Sequence, residues 1–215
     1  MAINHEMNYY NYGKTLSAEG IMPVLPQNGK QWPEHEYVDL GLPSGTLWAT
    51  DDIKNESGNT IYFRWGETQG YTDEQLEQEL PDYKFFIYKD GYEYPEMTKY
   101  GYVDGKFLLD PKDDAATANW GPDWCMPTYA QILELLMSGS YRSGNTFSVS
   151  GENGTTLNFE TPNGDGDWFS SCLNIDNNAI SAYGFNTANS GTTIDFNTVA
   201  YRNRPSRIRP VRKKR

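Results

Sequence analysis

The chain has 215 residues, a net charge of −11 and 14% aromatic side chains, among them 16 Tyr, 9 Phe and 6 Trp. So many large rings exclude a disordered chain, and the length admits one sizeable core with or without an appendage. No run of about 20 apolar residues occurs, so a membrane-spanning helix and membrane insertion are not expected.

Residues 1–34 hold Pro23, Pro26 and Pro33 and no lasting helical or strand period. They read as an extended N-terminal attachment arm. Its contact residues would be Tyr9, Tyr10, Tyr12 and the apolar patch Ile21, Met22, Val24 and Leu25. An arm this poor in core formers needs a partner to hold it, which points to an assembly. The first residues carry no basic stretch, apolar run or lipobox cysteine, so the expectation is a chain made and kept in a cytoplasm.

From residue 35 to 212 the pattern predicts one β-rich domain, with 213–215 as a basic tail. Glu36–Leu40 and Thr46–Thr50 read as strands around the turn Gly41–Gly45, and Ile61–Trp65 as another. Thr72–Leu80 reads as a short helix capped by Thr72. Lys84–Tyr88 is a strand candidate, and 89–112 looks like loop. The clearest helix is 129–137. Thr128 and Gln131 make a capping box, Ile132, Leu133 and Leu136 an apolar stripe, and Gly139 the stop. Strands follow at Phe147–Ser150, Thr155–Phe159, Trp168–Leu173, Ala179–Phe185, Thr193–Val199 and Arg207–Val211. Gly151-Glu152-Asn153-Gly154 is a hairpin signal, and there is no internal repeat.

Charge is uneven. Residues 202–215 contain eight basic residues and no acid, so the preceding 201 residues carry −19. A body this acidic makes nucleic acid an unlikely partner. The basic end reads as a solvated tail or one that pairs with the chain's own acidic face. Trp48, Trp65, Trp120, Trp124 and Trp168 read as core plugs. Asp113, Asp114 and Asn119 are expected to satisfy backbone N–H groups in a loop without a ladder.

Several segments, in order, carry a resemblance: YVDLGLPSGTLWAT (37–50), YFRWGET (62–68), LLDPKDDAATANWGPDWCMPTYAQILELL (108–136), WFSSCLN (168–174) and RIRPVR (207–212). Together they resemble the major paralogous domain of Fibrobacter and Bacteroidetes, over about 180 residues from Glu36 onward. That domain is similar to the C-type-lectin-like fold of formylglycine-generating enzymes, retroelement-diversified variable proteins and phage virion proteins. The resemblance implies an α+β, C-type-lectin-like fold: short antiparallel strands with one or two short helices, carried on the extended arm. It implies a last strand lying beside the first, at Tyr37–Leu40, and Cys125 facing Cys172, as two thiols or as a disulfide. The catalytic cysteine pair of the enzymes is not matched at either position.

Only His5 and His35 are present, so a histidine-based triad or zinc site inside the domain is not expected. Asn163, Asp165 and Asp167 alternate like the start of a calcium loop, but the twelfth place is Asn174, so a Gly-Asp turn is the better reading. No catalytic residue, metal or cofactor is expected. In the diversified relatives, the stretch corresponding to 174–203 forms the ligand surface. Here it holds Asn174, Asp176, Asn177, Asn178, Tyr183, Asn186, Asn189, Asn197, Tyr201 and Asn203, a paratope-like composition. The expectation is a non-enzymatic bacteriophage virion component: a head decoration, head fibre or tail-fibre protein, made in the host cytoplasm. Its partners would be other virion proteins through the arm, a host surface glycan or protein, and further copies in a homo-oligomer. The alternatives are a bacterial surface adhesin or pilus-tip lectin and, more distantly, a formylglycine-generating-type enzyme.

Overall fold

A computed structural model describes residues 32–161, 166–175, 179–187 and 199–212. The arm residues Tyr9, Tyr10, Tyr12, Ile21, Met22, Val24 and Leu25 lie outside the described residues. Residues 33–215 form one unit of mixed α+β structure, with mostly antiparallel strands in small sheets and few helices.

The strands β1 (Tyr37–Asp39), β2 (Leu47–Ala49), β5 (Trp124–Cys125) and β12 (Val211–Arg212) make one sheet in the order β1-β2-β12-β5. The last strand therefore joins the sheet of the first, but not beside it. Val211 is opposite Trp48 of β2 on one side and Cys125 of β5 on the other. The reason is burial. Trp48 and Ala49 are fully buried and need cover on both sides, whereas Tyr37 and Asp39 of β1 are exposed and suit an edge. The remaining strands are β3 (Phe86–Ile87) with β4 (Glu96–Met97), then β6 (Ser140–Ser143), β7 (Thr146–Ser150) and β8 (Thr156–Glu160), and finally β9 (Asp167–Asn174), β10 (Ser181–Asn186) and β11 (Val199–Tyr201). Residues 193–198 of one expected strand are outside the described residues. Ile61–Trp65 forms only isolated bridges, through Tyr62 to Tyr71 and Phe63 to Ser206.

Among the described residues there are three α-helices, α1 (Asp73–Leu76), α2 (Ala115–Trp120) and α3 (Tyr129–Met137), and a 3-10 turn at Pro111–Asp113. α1 buries no side chain and ends well before Pro81, so it is shorter than the pattern suggested. α3 keeps the expected capping box: Gln131 N–H donates to Thr128 Oγ1 at 3.3 Å, and Thr128 N–H donates to Gln131 Oε1 at 2.8 Å. Its buried face is Ile132, Leu135 and Leu136, with Leu133 half-buried, so the stripe is rotated from the expected one. α2 falls in the stretch read as loop. Ala115 and Ala116 bury almost completely there, and Asp114 supplies the cap.

β9 and β10 lie between two hydrophobic clusters. Trp168 and Phe185 enter the cluster of Trp48, Ile132, Leu135, Phe159 and Val211. Their neighbours Phe169, Leu173 and Ala182 enter the cluster of Phe63, Trp65, Tyr100, Trp124 and Ile208. Alternation along a strand covered on both faces makes this split, and it explains the nearly continuous burial of β9. All five tryptophans named above are at most 7% exposed. The β9–β10 register shifts between Ala182 and Gly184, and a Cβ on Gly184 would sit 2.2 Å from the Trp168 carbonyl oxygen. Gly184→Ala is therefore expected to cost about 1–3 kcal/mol in a urea titration, because the backbone of the central pair has to part.

Candidate functional site

The buried polar residues of the signature segments are engaged with each other or with the backbone. Arg64 grips Glu67 through two 2.9 Å hydrogen bonds from Nε and Nη2, and also donates to Tyr71 OH and the Pro81 carbonyl. Asp52 Oδ1 accepts from Trp168 Nε1 at 2.8 Å and from Arg209 Nε at 2.7 Å. Asp114 caps α2 by accepting from Thr117 N–H and also accepts from Met126 N–H, both at 2.9 Å, as expected of it. Asp113 and Asn119 depart from expectation. Asn119 donates to the carbonyls of Thr68 and Ala115. Asp113 accepts from Lys84, Lys99 and the Tyr100 hydroxyl.

This last cluster is held in one charge state. Burial works to raise the Asp113 carboxyl, but hydrogen bonds from Lys99 and Tyr100 outweigh it and hold it below the usual range. Burial works to lower Lys99, but bonds to Asp110, Asp113 and Tyr100 raise it. Tyr100 is raised, chiefly by burial. Groups pushed away from neutral pH in these directions are poor proton carriers for acid–base chemistry. They instead secure the long 89–112 segment, where Tyr100 sits at a left-handed φ of 64°.

In the described part of the basic C-terminal segment, residues 202–212, three arginines are buried rather than solvated, while Arg204 is exposed. Arg202, Arg207 and Arg209 are 0%, 8% and 2% exposed. Arg202 donates to the carbonyls of Ala179 (3.0 Å), Lys99 (2.9 Å) and Tyr100 (3.4 Å). Its guanidinium lies 4.9 Å from the Trp65 ring centroid and within 6.0 Å of those of Tyr83, Phe85, Phe86 and Tyr100. Among the described residues no carboxylate pairs with it. Carbonyl dipoles and ring faces replace its hydration.

The expected ligand surface divides. Asp176, Asn177, Asn178, Asn189 and Asn197 lie outside the described residues. Asn174 is 7% exposed at the end of β9, which corrects its reading as a surface residue; its strand is covered on both faces. Tyr183 is half-buried, stacked on Tyr129 at 4.2 Å. Asn186 donates to Asp167. Tyr201, exposed, ends β11, and Asn203, half-buried, sits in the turn that follows it, closed by Arg204 N–H donating to the Tyr201 carbonyl at 3.0 Å. Asn203 Nδ2 donates to Tyr88 OH at 3.4 Å, and the Arg204 guanidinium lies 5.5 Å from the Tyr201 ring centroid.

Sequence reasoning missed Tyr88 and Arg204. A signal existed in Tyr88, Tyr92 and Tyr94 flanking Gly91 and Pro95, but Tyr88 ends the expected strand 84–88 and Tyr92 and Tyr94 fall in the expected loop 89–112. Five of the ten exposed large hydrophobic residues described, Ile87, Tyr88, Tyr92, Tyr94 and Tyr201, belong to the β3–β4 hairpin and the end of β11.

Elsewhere, His35 stacks on Trp120 at 3.7 Å beside a groove of about 300 Å³, and burial lowers its pKa. Cys125 and Cys172 are not joined by a disulfide; burial raises the pKa of Cys172, whose sulfur accepts from Tyr129 N–H at 3.3 Å. Among the described residues no group of three His, Cys, Asp or Glu is placed to hold a metal ion, and no helix is long and apolar enough to cross a membrane. No family model matches the chain, and neither a curated protein nor a solved structure is significantly similar to it.

Proposed function

We propose that the chain is a non-enzymatic display and binding protein with a C-type-lectin-like domain, serving as a bacteriophage virion component such as a head decoration, head fibre or tail-fibre protein. The observation that carries this reading is the division of labour among the polar residues. Asp52, Arg64, Glu67, Asp114, Arg202 and Arg209 are buried and bonded within the scaffold. At the surface, exposed Tyr88 accepts from the Asn203 amide, and the Arg204 guanidinium lies over exposed Tyr201. A rigid body with a tyrosine-rich face suits recognition, where rings give contact area at low entropic cost. The ordered signature from Tyr37 to Arg212 supports the lectin-like fold, as do a last strand and a first strand that share one sheet. The arm, rich in Tyr and Pro, supports attachment to other virion proteins.

Mass spectrometry of purified phage particles is expected to find the chain at a fixed copy number per particle. Its absence from particles would overturn the virion role. Recovery in washed bacterial envelopes instead would make it a surface adhesin.

A further inference from the structure

We propose that Arg207 anchors an anion site that takes a single carboxylate group, in the groove lined by Tyr62, Gly166, Asp167, Pro205, Ser206 and Arg207 itself. The groove measures about 150 Å³. Pockets that take drug-sized ligands run to roughly 300–1,000 Å³, so this one suits a small group and not a whole ring system.

Arg207 differs from the other buried arginines in what it leaves unused. Arg64 is paired with Glu67 and Arg209 with Asp52, and Arg202 donates to three carbonyls. Arg207 is only 8% exposed, yet among the described residues its guanidinium makes one hydrogen bond, from Nη1 to the Glu160 carbonyl at 2.6 Å. Among the described residues no carboxylate forms an ion pair with it. The Trp168 and Tyr62 ring centroids lie 5.3 Å and 5.7 Å from its central carbon. Rings stabilise the charge through their faces but leave the N–H groups of Nε and Nη2 without an oxygen acceptor. A buried cation with spare donors beside an open groove calls for a counter-ion there.

The anchor is fixed before any ligand arrives. Arg207 N–H donates to the Asp167 carbonyl at 2.9 Å, and the Arg207 carbonyl accepts from Phe169 N–H at 3.1 Å. Ser206 exchanges two backbone hydrogen bonds with Phe63, at 2.8 Å and 2.9 Å. A Cβ on Gly166 would sit 2.3 Å from Trp168 Cη2 and 3.1 Å from Arg207 Nη1, so the glycine leaves room for both side chains. Little ordering remains to be done on binding.

The donors select the ligand class. With Nη1 engaged, the free side of the guanidinium is the Nε–Nη2 edge, whose two parallel N–H groups match the two oxygens of a carboxylate. Tyr62 and Ser206 add hydroxyls to the same wall. A phosphate dianion fits less well. The site offers one cation, the exposed Asp167 stands on its rim with its carboxylate accepting from Asn186, and the chain carries a net charge of −11. Each of these penalises a second negative charge more than a first.

The test is a titration of the full chain with sodium acetate at constant ionic strength, with chloride making up the balance. It follows the Arg207 Nε–H resonance by heteronuclear NMR. A saturable shift with half-saturation in about the millimolar range is expected, the scale of one charge-assisted pair. Arg207→Lys keeps the charge but not the fork and should weaken acetate binding about tenfold, read from the Ser206 amide. Asp167→Asn removes the rim charge and should tighten binding about threefold, a gain that loss of structure could not mimic. Absence of a saturable shift at Arg207, or unchanged affinity in Asp167→Asn, would overturn the site. Parental affinity in Arg207→Lys would overturn the fork, and tighter binding of inorganic phosphate than of acetate would overturn the carboxylate class. The site stands or falls independently of whether the chain is found in virions.

Discussion

Arg202→Met is expected to lower stability by about 3–4 kcal/mol, enough to drop the melting temperature by about 10 °C for a domain of this size. Methionine fills much of the arginine's volume and removes its charge, so on hydrophobic grounds alone the change looks mild. The cost comes from what stays behind. The carbonyls of Ala179, Lys99 and Tyr100 are bonded by the guanidinium, in a region where Trp65 and Tyr100 are 0% exposed. Without it they face only rings and a thioether, and each unpaired buried acceptor costs about 1–3 kcal/mol. Lysine keeps the charge but not the planar fork, so Arg202→Lys should fall between the parent and the methionine variant. Thermal unfolding and urea titration of the three proteins would show the order. A methionine variant as stable as the parent would mean that those carbonyls rearrange without loss and that Arg202 holds nothing in place.

Much of the scaffold was readable from local pattern. The capping box of Thr128 and Gln131, the hairpin at Gly151–Gly154 and the five buried tryptophans depend on nearby residues or on sheer side-chain size, and each stands where the sequence placed it. The burial of Arg202, Arg207 and Arg209 within the basic C-terminal run was not legible, because charge density says nothing about which residues turn inward. Arg209 finds its acid at Asp52, 157 positions away, and Arg202 finds carbonyls and rings instead of an acid. α2 was missed because six residues with a Thr and an Asn carry little helical signal without the Asp114 cap and the burial of Ala115 and Ala116. The candidate surface was half legible. Tyr201 and Asn203 stood out by composition, whereas Tyr88 reaches Asn203 only through the packing of the β3–β4 hairpin around Arg202.

Asp52→Ala is expected to be at least as damaging, at about 3–5 kcal/mol, because it strands a buried positive charge. The side chains of Arg209 and Asp52 are 3% and 8% exposed, and a single oxygen, Asp52 Oδ1, accepts from both Arg209 Nε and Trp168 Nε1. That oxygen ties the end of the first β-hairpin to the start of β9 and to the segment entering β12. Asp52→Asn keeps an oxygen that can still accept but loses the negative charge, so it should cost less than alanine. The decisive comparison is with Asp52→Ala/Arg209→Met. If the dominant penalty of the single change is the uncompensated guanidinium, removing that group should recover part of it, and the double variant should be less destabilised than the sum of the two singles by about 1–3 kcal/mol. Recovery will be incomplete, because Arg209 also donates to the carbonyls of Thr50 and Asn158, both at 2.9 Å, and lies 4.3 Å from the Phe159 ring centroid. Strict additivity in this cycle would contradict the ion pair as the link between the chain's early and late segments. It would assign the loss to the Trp168 hydrogen bond alone, and Trp168→Phe would then reproduce the whole effect of Asp52→Ala.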